Sequence, residues 1–129
     1  MRLLLDTHIW LWSILEPARL GRRLRHELSQ KKNELWLSPI SVWETLLLNA
    51  KGRIRLRVEP AAWLARATAD LREAPLTIEI VLAAHQLPLP NPDPADRFLA
   101  ATAQVLDLTL VTADERLLGL GDIKTLANR

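Results

Sequence analysis

The chain is apolar at three consecutive positions, Leu3 to Leu5, and the run breaks at Asp6. A short unbroken apolar run closed by a polar residue reads as a strand buried on both faces. The segment from Thr7 to Leu15 follows as a helix. Between Leu20 and Lys32, leucines recur every fourth residue at 20, 24 and 28, while Arg19, Arg22, Arg23 and Arg25 fill the other faces. That spacing predicts an amphipathic helix with a basic side. Glu34 to Leu37 reads as a second strand. Ser38 and Pro39 then supply an N-cap and a proline at the first helical position, which predicts a helix to about Lys51, stopped by Gly52. The stretch from Arg53 to Val58 alternates arginine with Ile54, Leu56 and Val58 and is too short and too charged for core. Pro60 opens a helix predicted to reach about Glu73, and Ile78 to His85 forms another. From Leu87 to Pro94 proline recurs at every second position, which rules out regular structure and makes this a loop delivering the chain to Asp93. Ala95 to Asp107 is rich in helix formers. Leu108 to Val111 reads as a strand, Thr112 to Glu115 has capping-box spacing and opens a short helix ending by Gly119, and Ile123 to Leu126 is a last strand. Strands separated by helices predict an α/β fold, a short and mostly parallel central sheet flanked by helices, with residues 1–129 forming a single domain.

Composition narrows the chemistry. Of the residues, 49% are hydrophobic, with one Phe and no Tyr, a balance that favours helix over sheet. The absence of cysteine rules out disulfides and thiolate metal sites and fits a cytoplasmic protein. No apolar stretch approaches the roughly 20 residues needed to span a bilayer, and the N-terminal run is interrupted before it can serve as an export signal, so no membrane role is expected. Net charge is only +2, but 13 of the 17 basic residues are arginine, the side chain suited to bidentate contact with phosphate. That points towards nucleic acid.

Four of the fifteen acids occupy one kind of position. Asp6, Asp96 and Asp114 stand at or just inside helix starts, and Glu44 lies in the first turns of another helix. Each has a plain alternative use, because carboxylates near helix N-termini satisfy free N–H groups, and Ser41 to Glu44 has capping-box spacing of its own. Position argues for more. Asp6 and Asp114 each follow a predicted parallel strand, and in open α/β sheets the C-terminal strand ends face the ligand crevice. If Glu44 and Asp96 converge there, the crowded negative charge requires a cation. Oxygen-only ligation selects Mg²⁺ or Mn²⁺, and the natural reaction is phosphodiester hydrolysis. A non-catalytic RNA- or protein-binding module, and a phosphatase or DNA nuclease with similar acids, remain open on these residues alone.

The segments LLLDTHIWLW at 3–12, LSPISVWETLLLNAKGRI at 37–54, DPADRFLAATAQ at 93–104 and LVTADERL at 110–117 resemble the PIN-domain ribonucleases, and within them the VapC-type toxins of toxin–antitoxin pairs. The resemblance runs nearly end to end and implies a PIN-like three-layer fold. By it, Asp6, Glu44, Asp96 and Asp114 match the family's catalytic acids, with Asp6, Asp96 and Asp114 on the metal, and Asp93 and Thr112 match supporting positions. It further implies a Mg²⁺- or Mn²⁺-dependent endoribonuclease acting on RNA, a homodimer, and a small antitoxin partner. Asn91 stands where many relatives carry histidine. Among the neighbours of these residues, Arg97 is expected to hold the Asp96 carboxylate or touch RNA phosphate. Thr7 serves either a carboxylate or a helix cap. His8 is left outside the metal set. Trp10, Trp12, Trp43 and Trp63 are expected mostly in the core, with base stacking as their other use.

Overall fold

A computed structural model describes residues 1–89 and 93–129 of the chain. Asn91, the position where relatives often carry histidine, lies outside the described residues.

Five strands form one sheet in the order β3-β2-β1-β4-β5, and every neighbouring pair is parallel. The strands are β1 (Arg2–Leu5), β2 (Glu34–Leu37), β3 (Arg72–Glu73), β4 (Thr109–Thr112) and β5 (Lys124–Ala127). The helices are α1 (Thr7–Leu15), α2 (Arg22–Ser29), α3 (Pro39–Ala50), α4 (Pro60–Ala67), α5 (Ile78–Gln86), α6 (Pro94–Leu106) and α7 (Glu115–Leu118), with a 3-10 turn at Pro17–Arg19. β1 is central, and its side chains alternate between two cores. Leu4 packs with Ile80, Ala84, Leu99 and Ala100 of α5 and α6. Leu3 and Leu5 pack with Ile9, Trp10, Leu24 and Val111, bringing in α1 and α2 on the other face. The unbroken apolar reading of Leu3 to Leu5 thus corresponds to a strand covered by helices on both sides.

The chain folds outward from β1 in both directions. β2 and β3 extend the sheet on one side, while β4 and β5 extend it on the other, so the topological switch lies between β1 and β4. Splayed connections at such a switch leave a crevice beyond the strand ends. Asp6 stands at its edge, its N–H donating to the Val111 carbonyl at 3.0 Å.

Two helices depart from the sequence reading. The helix from Pro60 ends at Ala67, not near Glu73: Thr68 turns its hydroxyl onto the Leu64 carbonyl at 2.7 Å, and the chain then forms β3 beside β2. A strand of two residues has no periodicity to announce it, and only its pairing with β2 defines it. The basic helix begins at Arg22 and stops at Ser29, short of Lys32. Gly21 is pinned there by Asn128, whose Oδ1 accepts from its N–H at 2.8 Å. A Cβ at Gly21 would fall 1.8 Å from the Arg129 carbonyl carbon, so glycine is what permits the C-terminal strand's tail to lie against this corner.

Candidate active site

The acids of interest reach one cleft from four different elements. Asp6 comes from the end of β1, Glu44 from the second turn of α3, Asp93 and Asp96 from the start of α6, and Asp114 from the start of α7. Together with His8, Trp12, Arg19, Ala113 and Arg116 they line a cleft of about 500 Å³ at the switch point.

Asp6 sits at the N-cap position of α1, yet its side chain makes no capping hydrogen bond. Instead Oδ2 accepts the Thr112 hydroxyl at 2.6 Å, a bond across the switch from β1 to the end of β4. Thr112 also accepts the Asp114 N–H at 3.0 Å, so one buried hydroxyl fixes two of the acids relative to each other. The expected capping box from Thr112 to Glu115 does not form. Asp114 is the cap of α7, its Oδ1 accepting from the Arg116 N–H at 2.9 Å, and the Thr112 hydroxyl is committed to Asp6.

Glu44 does not use its capping-box spacing to Ser41 either. Ser38 caps α3, accepting from the Ile40 N–H at 3.1 Å. Glu44 Oε1 accepts the Thr7 hydroxyl, which lies 2.8 Å from the buried Ser41 Oγ. Thr7 therefore serves a carboxylate, the first of the two uses open to it. Asp93 does cap α6, through the Ala95 N–H at 3.0 Å, and Asp96 follows in the first turn of that helix.

Arg97 takes a different role from the expected one. Its guanidinium donates to the main-chain carbonyls of Ala84, Leu87 and Leu89 at 3.0, 3.1 and 2.6 Å. It ties the end of α5 and the following loop to α6, because buried carbonyls released at a helix C-terminus need donors. The cation on Asp96 is Arg116, with Nη2 at 3.5 Å from Asp96 and 2.7 Å from Asp114. Sequence reasoning missed Arg116: its place two residues after Asp114 was the local signal for the nearer pair, while only the fold carries α7 to Asp96 at the start of α6.

Burial and crowding have an electrostatic consequence. Burial holds the Asp6 carboxyl above its ordinary pKa, against the lowering effect of the Thr112 hydrogen bond. Burial also raises Glu44, helped by the charges of Asp93 and Asp6 and opposed by Thr7. Asp96 is pushed up to about 6, by burial first and then by Asp93, Asp6 and Asp114, with Arg116 pulling the other way. Asp114 moves down because Arg116 hydrogen-bonds to it. Three acids that resist ionisation around one cleft mark a place where added positive charge is favourable.

The donor set fits a hard divalent cation, since it consists of carboxylate oxygens with no thiolate and opens to water. Among the described residues no three of these side chains are drawn together as a closed ligand set. Mg²⁺ commonly takes one or two carboxylates and keeps its waters, so a partly open arrangement is compatible with it.

Of the four tryptophans weighed above, Trp10 is buried and stands edge-on to Trp63 at 5.5 Å between ring centres, Trp43 is exposed, and Trp12 lines the cleft. His8, one helical turn before Trp12, lies with its ring 5.9 Å from the indole and also lines the cleft.

Comparison with known proteins gives the family and the fold. Residues 3–122 match the PIN domain. Ribonuclease VapC22 of Mycobacterium tuberculosis (strain ATCC 25618 / H37Rv) is 35% identical over 115 residues, 88% of each chain. Among solved structures, VapBC2 from Rickettsia felis, bound to a DNA fragment from their promoter, superposes with a TM-score of 0.74 at 18% identity over 98% of each chain. FitAcB from Neisseria gonorrhoeae gives 0.72 at 23% identity over 96% of each. These structural likenesses speak to the fold: an α/β architecture with helices on both faces of a parallel sheet.

Proposed function

The chain belongs to the PIN domain family, and from that premise we propose that it is a metal-dependent endoribonuclease, the toxin of a VapC-type toxin–antitoxin pair, hydrolysing RNA at the carboxylate cleft. The observation that carries this reading is Asp6: a nearly buried acid at the sheet's switch point, bound to Thr112 instead of capping its own helix, with Glu44, Asp96 and Asp114 around the same cleft.

Asp6, Asp96 and Asp114 would hold Mg²⁺ or Mn²⁺. Such an ion supplies Lewis acidity and charge neutralisation at the scissile phosphate. Thr112 keeps the Asp6 oxygens aimed into the cleft, and Asp93 fixes the start of α6 so that Asp96 faces the same way. Glu44, in the lining of the same cleft, would take the proton of the attacking water. Its carboxyl is held above its ordinary pKa by burial, which brings it closer to the working range of a general base, and Thr7 fixes its orientation. As the water oxygen bonds to phosphorus, the bond to the leaving ribose oxygen would break, the water proton would pass to Glu44, and the leaving oxygen would take a proton from solvent.

An antitoxin partner is supported by relatives solved as toxin–antitoxin complexes, and by an apolar hollow of about 450 Å³ among Ile14, Leu15, Val58 and Trp63 with Arg55, Arg57 and Arg66 around it. A homodimer is supported by α5, which leaves Ile78 82% and Leu82 61% exposed. No helix among the described residues is long and apolar enough to cross a membrane.

The test is cleavage. Purified free of any partner, the protein is expected to cut RNA in Mn²⁺ or Mg²⁺ and not in EDTA, with Glu44→Gln lowering kcat by about 10² to 10⁴, the usual contribution of a positioned general base. Cleavage that persists in EDTA, or that Glu44→Gln leaves intact, overturns the reading.

A further inference from the structure

The cleft mixes acidic with aromatic and basic groups. Five acids line it, and α1 and the 3-10 turn add His8, Trp12 and Arg19. Two arginines reach the cleft, and their charges are differently committed. Arg116 forks onto Asp114 through Nε and Nη2 and also meets Asp96, so its charge is already matched by carboxylates. Arg19 has one ion pair among the described residues, with Glu16 at 3.7 Å, where both side chains are more than half exposed at 55% and 59%. A pair so exposed and so long holds its charge weakly.

Arg19 is nevertheless well placed. Its guanidinium carbon lies 4.3 Å from the centre of the Trp12 ring, on the indole face, where cation–π attraction holds a flat cation without consuming its N–H donors. Its main chain is fixed at both ends: its N–H donates to the Glu16 carbonyl at 3.0 Å, and its carbonyl accepts from Asn128 Nδ2 at 3.0 Å. Trp12 is itself half-buried against the core formed by α1, α2 and β1, so the surface under the guanidinium is firm. A polyanion approaching five carboxylates meets repulsion, and a cation in the same lining lowers that barrier.

We propose that Arg19, held over the Trp12 ring, is a phosphate-binding subsite for single-stranded RNA in the lining of the cleft, contacting a backbone phosphate of the strand that runs into the carboxylates. The inference rests on the ribonuclease reading and deepens it. Arg19 binds substrate, and Trp12 is the positioning residue that keeps its fork facing outward. Because phosphate carries no sequence information, this contact contributes to affinity for every RNA alike.

The experiment is fluorescence anisotropy of a labelled single-stranded RNA oligonucleotide in EDTA, across a KCl series, with wild type, Arg19→Ala, Trp12→Ala and Trp12→Phe. Loss of one phosphate contact to a single strand is expected to flatten the slope of log affinity against log salt by about 0.7, and to weaken binding about fivefold near ~0.1 M salt. Arg19→Ala should do both, Trp12→Ala should move in the same direction, and Trp12→Phe, which restores an aromatic face, should return close to wild type. Arg19 is exposed, so its replacement leaves the fold in place. Binding by Arg19→Ala with the wild-type salt slope overturns this inference and leaves the ribonuclease reading standing. No binding of RNA by the wild type overturns both.

Discussion

Thr112 is the residue on which the geometry of the cleft depends most, although it bears no charge. Its hydroxyl donates to Asp6 and accepts from the Asp114 N–H, and it is fully buried. Thr112→Val keeps the shape and removes both bonds, leaving a partly buried main-chain donor without its acceptor. The expected cost is about 1 to 3 kcal/mol of stability by chemical denaturation. Divalent-metal affinity should fall about 10- to 100-fold, the range seen when a ligand loses its orienting partner. Wild-type metal affinity in this variant would mean that Asp6 needs no support. The residue scale is also where the sequence was least informative. The acids could be picked out as helix-start carboxylates following strands, because strand ends and cap positions are local patterns. Whether an acid caps or serves the cleft could not, since Asp6 chooses Thr112 over its own helix and Glu44 chooses Thr7 over Ser41, and both choices are made by partners distant in the chain.

At the scale of elements, β1, β2 and β4 and helices α1, α3, α5 and α6 were legible with bounds close to those observed, since each combines a periodic or continuous apolar pattern with a stop signal in its own sequence. Gly52, at φ 72° after α3, is one such signal. β3 was illegible because two edge residues carry no pattern. Arg97 was misread for a related reason: its position beside Asp96 suggested a local ion pair, but one side of α6 faces the end of α5, and the guanidinium follows that face to three carbonyls. Arg97→Ala would strand those acceptors in a partly buried place. The expected loss is about 2 to 3 kcal/mol by urea denaturation, in the range for charged hydrogen bonds. Because α5 and the following loop hold the start of α6, RNA cleavage should fall with it. An unchanged unfolding midpoint would contradict this role.

At the scale of the whole molecule, the acids make the metal-free protein unfavourably charged at neutral pH. Asp96 in the folded state titrates at about 6, above its ordinary 3.8. Between those values the folded chain keeps a proton that the unfolded chain has released, so stability falls as pH rises through this window and then levels off. Burial of Asp6 and Glu44 acts in the same direction. The lowered carboxyls of Asp114 and Asp107 act oppositely, but only at more acid pH, where their protonation removes stability. Thermal melting in EDTA should therefore decline from pH 4 to pH 6, about the span between the ordinary and folded values. Asp96→Asn should flatten that decline, and saturating Mg²⁺ should raise melting most at the high-pH end. A melting temperature that climbs across this window would contradict the clustering of like charge.

The central claim is that the acids at the switch point of the sheet act together as one divalent-metal centre. Calorimetric titration of Mn²⁺ at neutral pH into wild type and Asp6→Asn tests it most directly, because asparagine retains an oxygen for Thr112 and removes only the charge. The wild type is expected to bind saturably and Asp6→Asn to lose that binding while still folded and melting no lower in EDTA. Equal binding by both proteins, or by neither, would contradict it.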